Sequence, residues 1–205
     1  MKTILIGIAR LGSTRLPGKV LMPLGQHNES VLAWVRRAAE QASLVDEFVV
    51  ATTGEAKDDA IYQWCKDRNI RCYRGSEDDV LERFLGAALM AEANVAVRVT
   101  CDCPFIDPTI IDEVIALREA HNADYASNID PPTWPDGMDC EAITVDALAL
   151  TKHRTTSKID RECVTTYIQR NKHRFKCVNL TCPLPGMHKE RWVLDTENDY
   201  VLCQE

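Results

Sequence analysis

The chain has 205 residues, of which 45% are hydrophobic and 27% are charged, as is usual for a single globular domain. Its 24 lysines and arginines are outnumbered by 31 aspartates and glutamates, which gives a formal net charge of -7. This balance excludes a general binder of nucleic acids or membrane surfaces, because either would need a basic field, and a binder of small anions must gather its cations locally.

Strand-like and helix-like segments alternate through the first two thirds of the chain. Apolar, β-branched runs predict strands, and apolar residues with helical spacing predict the helices between them. The predicted strands cover residues 3–9, 48–52, 70–73 and 95–100, and the predicted helices cover residues 29–43, 57–69 and 80–89. A further helix is expected to begin at Asp107 as N-cap, with Pro108 as its first residue. This order predicts an α/β fold with a mostly parallel sheet and helices on both faces.

The pattern changes at about residue 123. Residues 128–137 form a Pro-rich loop that is too long for a simple turn. A helix is predicted over residues 157–173, with short strand-like runs around Val178 and over 192–194. We interpret this second part as an elaboration of one domain, since no repeat or linker separates it from the first.

The start of the chain and its cysteines indicate a cytoplasmic protein. A strand-like run begins at Thr3, with no apolar segment typical of a signal peptide before it. No apolar stretch approaches the roughly 18 residues of a membrane span. The nine cysteines are odd in number and scattered, so we expect reduced thiols.

The segment that follows the first strand carries the strongest chemical signal. Residues 9–19 contain two glycines and a Ser-Thr pair, so that backbone N–H groups can face phosphate oxygens. Arg10, Arg15 and Lys19 place three cations within ten residues, which is enough for a triphosphate. The segment is not a Walker A loop, because Val20 follows Lys19, and it lacks the G-x-G-x-x-G pattern. The alternative is a solvated basic turn.

Two aspartates that follow apolar segments are candidate metal ligands. Asp102 follows the predicted strand at 95–100, and Asp195 follows the run at 192–194. Strand ends of this kind face the ligand crevice of α/β folds, and hard carboxylate oxygens suit Mg²⁺ beside a triphosphate. The alternatives are local: Asp102 could cap the next turn, and Asp195 could be a helix N-cap.

Together these segments resemble the cytidylyltransferases of the spore coat polysaccharide biosynthesis protein F family, relatives of the CMP-sugar-acid (CMP-KDO and acylneuraminate) synthetases. The similar stretches run in order across nearly the whole chain, at residues 9–19, 51–53, 74–80, 98–107, 124–128, 136–141, 161–165 and 194–196. The resemblance implies a Rossmann-like three-layer α/β/α fold of the glycosyltransferase-A-type nucleotidyltransferases. It implies one domain over 1–205, with a nucleotide-binding part at 1–122 and an acceptor and dimerisation part at 123–205.

The resemblance also implies an activity. The expected reaction transfers CMP from CTP to a small phosphorylated or acidic sugar-like acceptor and releases pyrophosphate, with Mg²⁺ as cofactor. A homodimer is expected, with the loop around Trp134 as one contact.

Individual residues receive roles from the same resemblance. Lys19, Arg10 and Arg15 would be catalytic, and Asp102 and Asp195 would hold the metal. The nucleotide would contact Ala9, Leu11, Gly12, Ser13, Thr52, Thr53, Arg74, Ser76, Asp79 and Thr100. The acceptor would contact Asp139, Glu141 and Arg161, for which structural ion pairing is the alternative.

Two features depart from the family pattern. Cys101 stands where the family usually has glycine, so its thiol is expected to narrow the pocket or to shift the nucleotide, and any helix after Asp195 is expected to be short or absent. Two other functions stay open on the sequence. One is a nucleotide-sugar-dependent glycosyltransferase that uses Asp102 as metal ligand, and the other is a non-catalytic nucleotide-binding subunit.

Overall fold

The computed structural model describes residues 1–204. Its strands are β1 Thr3–Ile8, β2 Pro23–Leu24, β3 Glu29–Ser30, β4 Glu47–Thr53, β5 Arg71–Gly75, β6 Val95–Thr100, β7 Tyr125–Ser127, β8 Glu141–Thr144 and β9 Cys177–Asn179. Its α-helices are α1 Val31–Gln41, α2 Asp59–Lys66, α3 Val80–Met90, α4 Pro108–Ala120, α5 Val145–Arg154, α6 Lys158–Cys163, α7 Thr166–Arg170 and α8 Glu197–Gln204. Short 3₁₀ turns cover Lys19–Leu21, Ala56–Asp58 and Met187–Lys189.

Seven strands form one sheet in the order β5-β4-β1-β6-β8-β7-β9. Strand β1 lies near the middle, parallel to β4 on one side and to β6 on the other. Strand β8 runs antiparallel to both β6 and β7, while β9 is parallel to β7. The sheet is therefore mixed and mostly parallel, which confirms the predicted α/β fold.

Alternate side chains of the central strands build two separate cores, one on each face of the sheet. Leu5, Val50 and Val97 pack on the face covered by α1, α2 and α4. Ile4 and Val49 pack on the opposite face, which is covered by α3, α5 and α7. Burial on both faces explains why the central strands are continuous apolar runs, and it produces the three α/β/α layers.

Side-chain caps set the start of several helices. The carboxylate of Asp107 accepts a hydrogen bond from the backbone N–H of Thr109 at 2.7 Å, with Pro108 in the first turn of α4. The predicted capping role of Asp107 is therefore confirmed. The first predicted helix begins later than expected, at Val31, because Ser30 is its N-cap and Glu29 lies in β3.

The single helix predicted over residues 157–173 is wrong. The chain forms two short helices instead, α6 and α7, separated at Val164, whose φ is 61°. A left-handed valine is unfavourable, but the break buries both Val164 and Ile168 against α3 and α5. Tertiary packing therefore overrides the local helical periodicity.

The strand-like run at 192–194 does not form a strand either. A single bridge joins Asp136 to Arg191, and Trp192 donates its backbone N–H to the carbonyl of Asp136 at 2.6 Å. The backbone of Trp192 then passes so close to Gly137 that an added Cβ would lie 2.6 Å from its carbonyl carbon. The Pro-rich loop thus holds this segment as an extended connection.

Strands β7, β8 and β9 come from residues after 122, yet they complete the sheet begun by the first part of the chain. The division of function between the two parts stays a prediction. Among the described residues, none of the helices has the length and apolar character that crossing a membrane requires.

Replacing Asp107 by alanine should lower the free energy of unfolding by about 1 kcal/mol, because the first turn of α4 loses its capping acceptor. Urea denaturation of the wild type and of Asp107→Ala measures this loss. Asp107→Ser is the matched control, since serine can accept the same hydrogen bond, and it should retain most of the stability. Equal losses in both variants would contradict a capping role.

Candidate active site

A cavity of about 510 Å³ opens where β1 and β6 end. This is the edge of a parallel sheet at which α/β folds bind ligands. Its lining combines the loop after β1, the end of β6 and side chains from α3, α6 and the segment before α8. The lining residues are Ile8, Arg10, Gly12, Ser13, Thr14, Arg15, Lys19, Val20, Val80, Arg83, Arg98, Thr100, Cys101, Asp102, Glu162 and Asp195.

The loop of residues 9–19 is held in shape by hydrogen bonds to a buried acid and to itself. Leu11 donates its backbone N–H to Asp58 Oδ1 at 2.7 Å, and the other carboxylate oxygen of Asp58 accepts from the hydroxyl of Thr53. Gly18 donates to the carbonyl of Leu11 at 3.0 Å and adopts a φ of 75°, a conformation that favours glycine. The left-handed glycine directs the chain into the 3₁₀ turn that carries Lys19.

Lys19 joins the two predicted metal aspartates. Its ammonium lies 2.7 Å from Asp102 Oδ2 and 2.8 Å from Asp195 Oδ1, and the residue is only 7% exposed. Burial of Asp102 favours its neutral form, but the positive charge of Lys19 outweighs this effect and the pKa of Asp102 lies below its usual value. The ammonium of Lys19 therefore favours the ionised form of Asp102, and its two ion pairs hold both carboxylates at the cavity wall.

A backbone contact brings the two acids together. Leu194 donates its N–H to the carbonyl of Asp102 at 2.8 Å, so the residue before Asp195 is anchored to Asp102 itself. Asp195 also pairs with Arg15 at 2.5 Å and with Arg191 at 3.7 Å. The predicted proximity of the basic loop to both acids is thus present in the structure.

Asp195 is not the N-cap of α8, because Thr196 directly precedes the helix and its hydroxyl accepts the backbone N–H of Asp199 at 3.3 Å. Asp199 accepts backbone hydrogen bonds from Asp195 at 3.0 Å and from Thr196 at 2.7 Å, and it pairs with Arg191 at 2.5 Å. Burial alone would raise the pKa of Asp199, but the bond from Arg191 and these two N–H groups lower it to about 2. Asp199 therefore fixes the backbone of this turn, while the carboxylate of Asp195 contacts Lys19 and Arg15 at the cavity wall.

The donor set formed by Asp102 and Asp195 fits a hard divalent cation. All four atoms are carboxylate oxygens at the cavity wall, beside the cationic loop. Residues 1–204 contain no group of three or more histidines, cysteines, aspartates and glutamates placed to hold a metal. A pair of acids suits Mg²⁺, which commonly takes one or two protein carboxylates and fills its other positions with water and phosphate oxygens.

Seven of the residues predicted to bind the nucleotide do not line the cavity. The residues outside the lining are Ala9, Leu11, Thr52, Thr53, Arg74, Ser76 and Asp79. Thr53 acts on the loop through Asp58, as described above, and Thr52 is fully buried. Arg74 donates to the carbonyls of Thr53 and Glu55, each at 2.9 Å. These contacts shape the wall from outside.

Two of the three predicted acceptor residues have structural partners. Glu141 is fully buried, pairs with Arg98 and accepts from the hydroxyl of Tyr125 at 2.6 Å. Arg161 pairs with Asp79 at 2.6 Å and donates to the carbonyls at the end of α5. Neither side chain lines the cavity.

Asp139, the third of these residues, is half-buried in an acidic setting. Burial raises its pKa to about 6, and the negative charges of Asp136, Glu141 and Asp102 act in the same direction against Arg98. Asp139 does not line the cavity, but one of the charged residues that influence it, Arg98, does.

No role was predicted from the sequence for three charged residues of the cavity lining, Arg83, Arg98 and Glu162. Arg98 and Glu162 lie in two of the stretches that resemble the family, 98–107 and 161–165, so their charge could have marked them as candidate site residues. Arg83 lies in α3 among apolar residues and is 1% exposed, where a lone arginine is uncommon.

The thiol of Cys101 packs into the core. An added Cβ on Gly7 would lie 2.9 Å from Cys101 Sγ and 3.1 Å from the ring of Phe48, so the missing Cβ makes room for the thiol. Cys101 also lines the cavity, so the expected effect of its side chain on the pocket stays a prediction.

Comparison with known proteins identifies relatives along the whole chain. The protein family described as cytidylyltransferase matches residues 4–204. The uncharacterised protein MJ1063 of Methanocaldococcus jannaschii is 35% identical over 100% of this chain and 83% of its own. The spore coat polysaccharide biosynthesis protein SpsF of Bacillus subtilis is 32% identical over 94% of this chain and 80% of its own.

Solved structures share the fold. A cytidylyltransferase from Leptospira borgpetersenii superposes with a TM-score of 0.91 at 31% identity, covering 98% of this chain and 84% of that one. A CMP-2-keto-3-deoxy-manno-octonic acid synthetase complexed with CTP superposes with a TM-score of 0.70 at 16% identity, covering 97% and 95%.

The pKa of Asp139 predicts a pH dependence of stability. Because its folded-state pKa of about 6 exceeds the usual 3.8, the folded protein binds a proton that the unfolded chain has released between these values. The stability contributed by this group is therefore present below about pH 4 and is lost as pH rises through about 6. Asp139→Asn should remove this pH-dependent change in the free energy of unfolding, which is on the order of 2 kcal/mol between about pH 4 and pH 7. Urea denaturation of both proteins at about pH 4 and pH 7 measures it, and parallel pH profiles would contradict the assignment.

Proposed function

This chain belongs to the cytidylyltransferase family, and from that premise we propose that it transfers CMP from CTP to a small phosphorylated or acidic sugar-like acceptor and releases pyrophosphate. The observation that carries the proposal is the contact of Lys19 with Asp102 and Asp195 at the wall of the cavity, beside the loop of Arg10 and Arg15. Cations and carboxylates thus lie at one site, which supports the binding of a metal-bound triphosphate there.

The preference for CTP is supported by the relatives. The family name specifies cytidylyl transfer, and one protein of the same fold was solved in complex with CTP. A CMP-activating role in surface polysaccharide synthesis fits the 32% identity to SpsF. The acceptor class rests on the same relatives.

Proposed roles of the cavity residues follow from their charges. Lys19, Arg10 and Arg15 would bind the β- and γ-phosphates and neutralise the charge that develops on the leaving pyrophosphate. Backbone N–H groups of Gly12 and Ser13 would bind phosphate oxygens, as in other concave turns. Phosphoryl transfer depends mainly on positioning and on charge neutralisation, and this loop would supply both.

Asp102 and Asp195 would hold Mg²⁺, which when bound supplies Lewis-acid polarisation of the α-phosphate. Ion pairs with Lys19, Arg15 and Arg191 hold the two carboxylates at the cavity wall. On the acceptor side, Asp139 is proposed as a contact. Glu141 and Arg161 would act through their partners Arg98 and Asp79.

The homodimer is also a proposal. Trp134 donates its indole N–H to the carbonyl of Leu180 at 3.1 Å and packs against the core, so its ring is largely occupied within the chain. The exposed apolar side chains of Phe105, Trp192 and Leu202 line a groove of about 380 Å³ and provide a better contact surface. Light scattering that gives the mass of one chain at micromolar concentration would exclude a stable dimer.

Pyrophosphate release tests the proposed reaction. The wild type is incubated with each of the four nucleoside triphosphates, Mg²⁺ and a panel of sugar phosphates and sugar acids. We expect release with CTP, dependent on one acceptor class and abolished by EDTA. Release with another triphosphate alone would refute the CTP assignment. A nucleotide-sugar-dependent glycosyltransferase would release none.

Lys19→Ala and Asp102→Asn should each lower the rate of pyrophosphate release about a hundredfold or more, because each removes a charged contact worth about 3 kcal/mol at a desolvated site. Circular dichroism should show an intact fold in both.

Two control substitutions test the specificity of these losses. Asp107→Asn changes a carboxylate five residues from Asp102 but keeps a capping side chain, and Lys66→Ala removes a lysine from the exposed side of α2. Both should keep wild-type rates. Wild-type rates in Lys19→Ala and Asp102→Asn would refute the proposed mechanism.

A further inference from the structure

Arg83 is a buried cation at the cavity that no carboxylate neutralises. It projects from α3, is 1% exposed and contributes to the cavity lining. Its described hydrogen bonds go from one terminal nitrogen to the backbone carbonyls of Ser76 and Glu77, the latter at 3.3 Å. Its Nε is buried without a hydrogen-bond partner in the described part of the chain.

The other cations of the lining have carboxylate partners. Arg15 and Lys19 pair with Asp195, Arg98 pairs with Glu141, and Arg10 lies 3.9 Å from Glu77. Arg83 takes part in none of the ion pairs found among residues 1–204. Asp58, Glu77 and Glu82 influence it from a greater distance, and Arg10 opposes its charge.

Burying a guanidinium without a counter-charge is unfavourable, so a fold that does so needs a compensating role for it. Two carbonyls satisfy one of its nitrogens but do not cancel the charge. Because little water reaches the group, an anion that enters the cavity would interact with it more strongly than with an exposed arginine.

We propose that Arg83 binds a phosphoryl oxygen of the nucleotide and is a binding residue of the site, in addition to the loop of residues 9–19. This inference rests on the proposed function for the identity of the nucleotide, but the anion-binding role depends only on the charge of the cavity. The position of Arg83 beside Arg10 and the Ser76–Glu77 backbone places it on the side of the cavity formed by α3.

Arg118 provides a matched control. It is a buried arginine of α4, 3% exposed, with an unpartnered Nε and a terminal nitrogen bound to the carbonyl of Ala123 at 3.1 Å. Unlike Arg83, it lies 3.9 Å from a carboxylate, that of Glu119, and it does not line the cavity. Substituting either arginine therefore disturbs a similar buried environment, but only Arg83 lines the cavity.

Calorimetric titration with CTP and with inorganic tripolyphosphate tests the proposal. Arg83→Met should weaken the binding of both about tenfold to a hundredfold, the effect of losing one charge-assisted hydrogen bond. Arg83→Lys, which keeps the charge, should give an intermediate loss, and Arg118→Met should bind both as the wild type does. Wild-type affinity of Arg83→Met for tripolyphosphate would overturn the inference.

The two probes separate this inference from the proposed function. A wild type that binds tripolyphosphate but not CTP would refute the cytidylyltransferase assignment, while the Arg83 comparison would still hold. A wild type that binds neither would refute both. A third titration adds inorganic phosphate to protein that is already saturated with CTP. If Arg83→Met weakens only this binding of phosphate, Arg83 contacts the acceptor, and its assignment to the nucleotide is wrong.

A measurement on the wild type covers the case in which Arg83→Met does not fold. The Nε–H resonance of Arg83, assigned by its absence from the spectrum of Arg83→Lys, should shift when tripolyphosphate is added. The corresponding resonance of Arg118 should not shift. If Arg118→Met folds and Arg83→Met does not, an unshifted Arg83 resonance would still reject the proposal.

Discussion

The site depends on one buried ammonium between two carboxylates. Lys19 contacts Asp102 and Asp195 across separations of 83 and 176 residues, so one side chain joins the beginning, the middle and the end of the chain. Lys19 neutralises part of the negative charge of both acids, while Asp195 also pairs with Arg15 and Arg191. The contact therefore holds the loop after β1 against the end of β6, and the positive charge of Lys19 lowers the pKa of Asp102.

The surrounding fold makes this contact possible through backbone geometry. Strands β1 and β6 are parallel neighbours, so the loop after one and Asp102 after the other open at the same edge of the sheet. The Pro-rich loop bonds to residues 190 and 192, and Leu194 bonds to Asp102, which carries Asp195 to that edge. Asp199 then fixes the turn before α8. Irregular segments, more than regular elements, thus determine where the second acid lies.

Charge is distributed unevenly in this acidic protein. Most cations of the cavity are matched by nearby acids, which lets them cluster without strong mutual repulsion, whereas Arg83 has only backbone carbonyls as hydrogen-bond partners. A cavity with this arrangement attracts an anion, and Asp102 and Asp195 are proposed to hold a divalent cation there. Both properties suit the binding of a metal–triphosphate complex, in which the two charges arrive together.

Features that depend on near neighbours could be predicted from the residues: the apolar strands β1, β4 and β6, the cap at Asp107, the cationic loop and the acids that follow apolar segments. Which charges are neutralised depends on the folded chain. Arg161 pairs with Asp79 and Arg98 with Glu141, 82 and 43 residues apart, and Arg83 is left without an acid. The helix predicted over residues 157–173 is likewise interrupted at Val164, whose side chain is buried in the core. Periodicity and capping are set by residues a few positions away, whereas the partner of a charge and the burial of a side chain are set by contacts that exist only after the chain has folded.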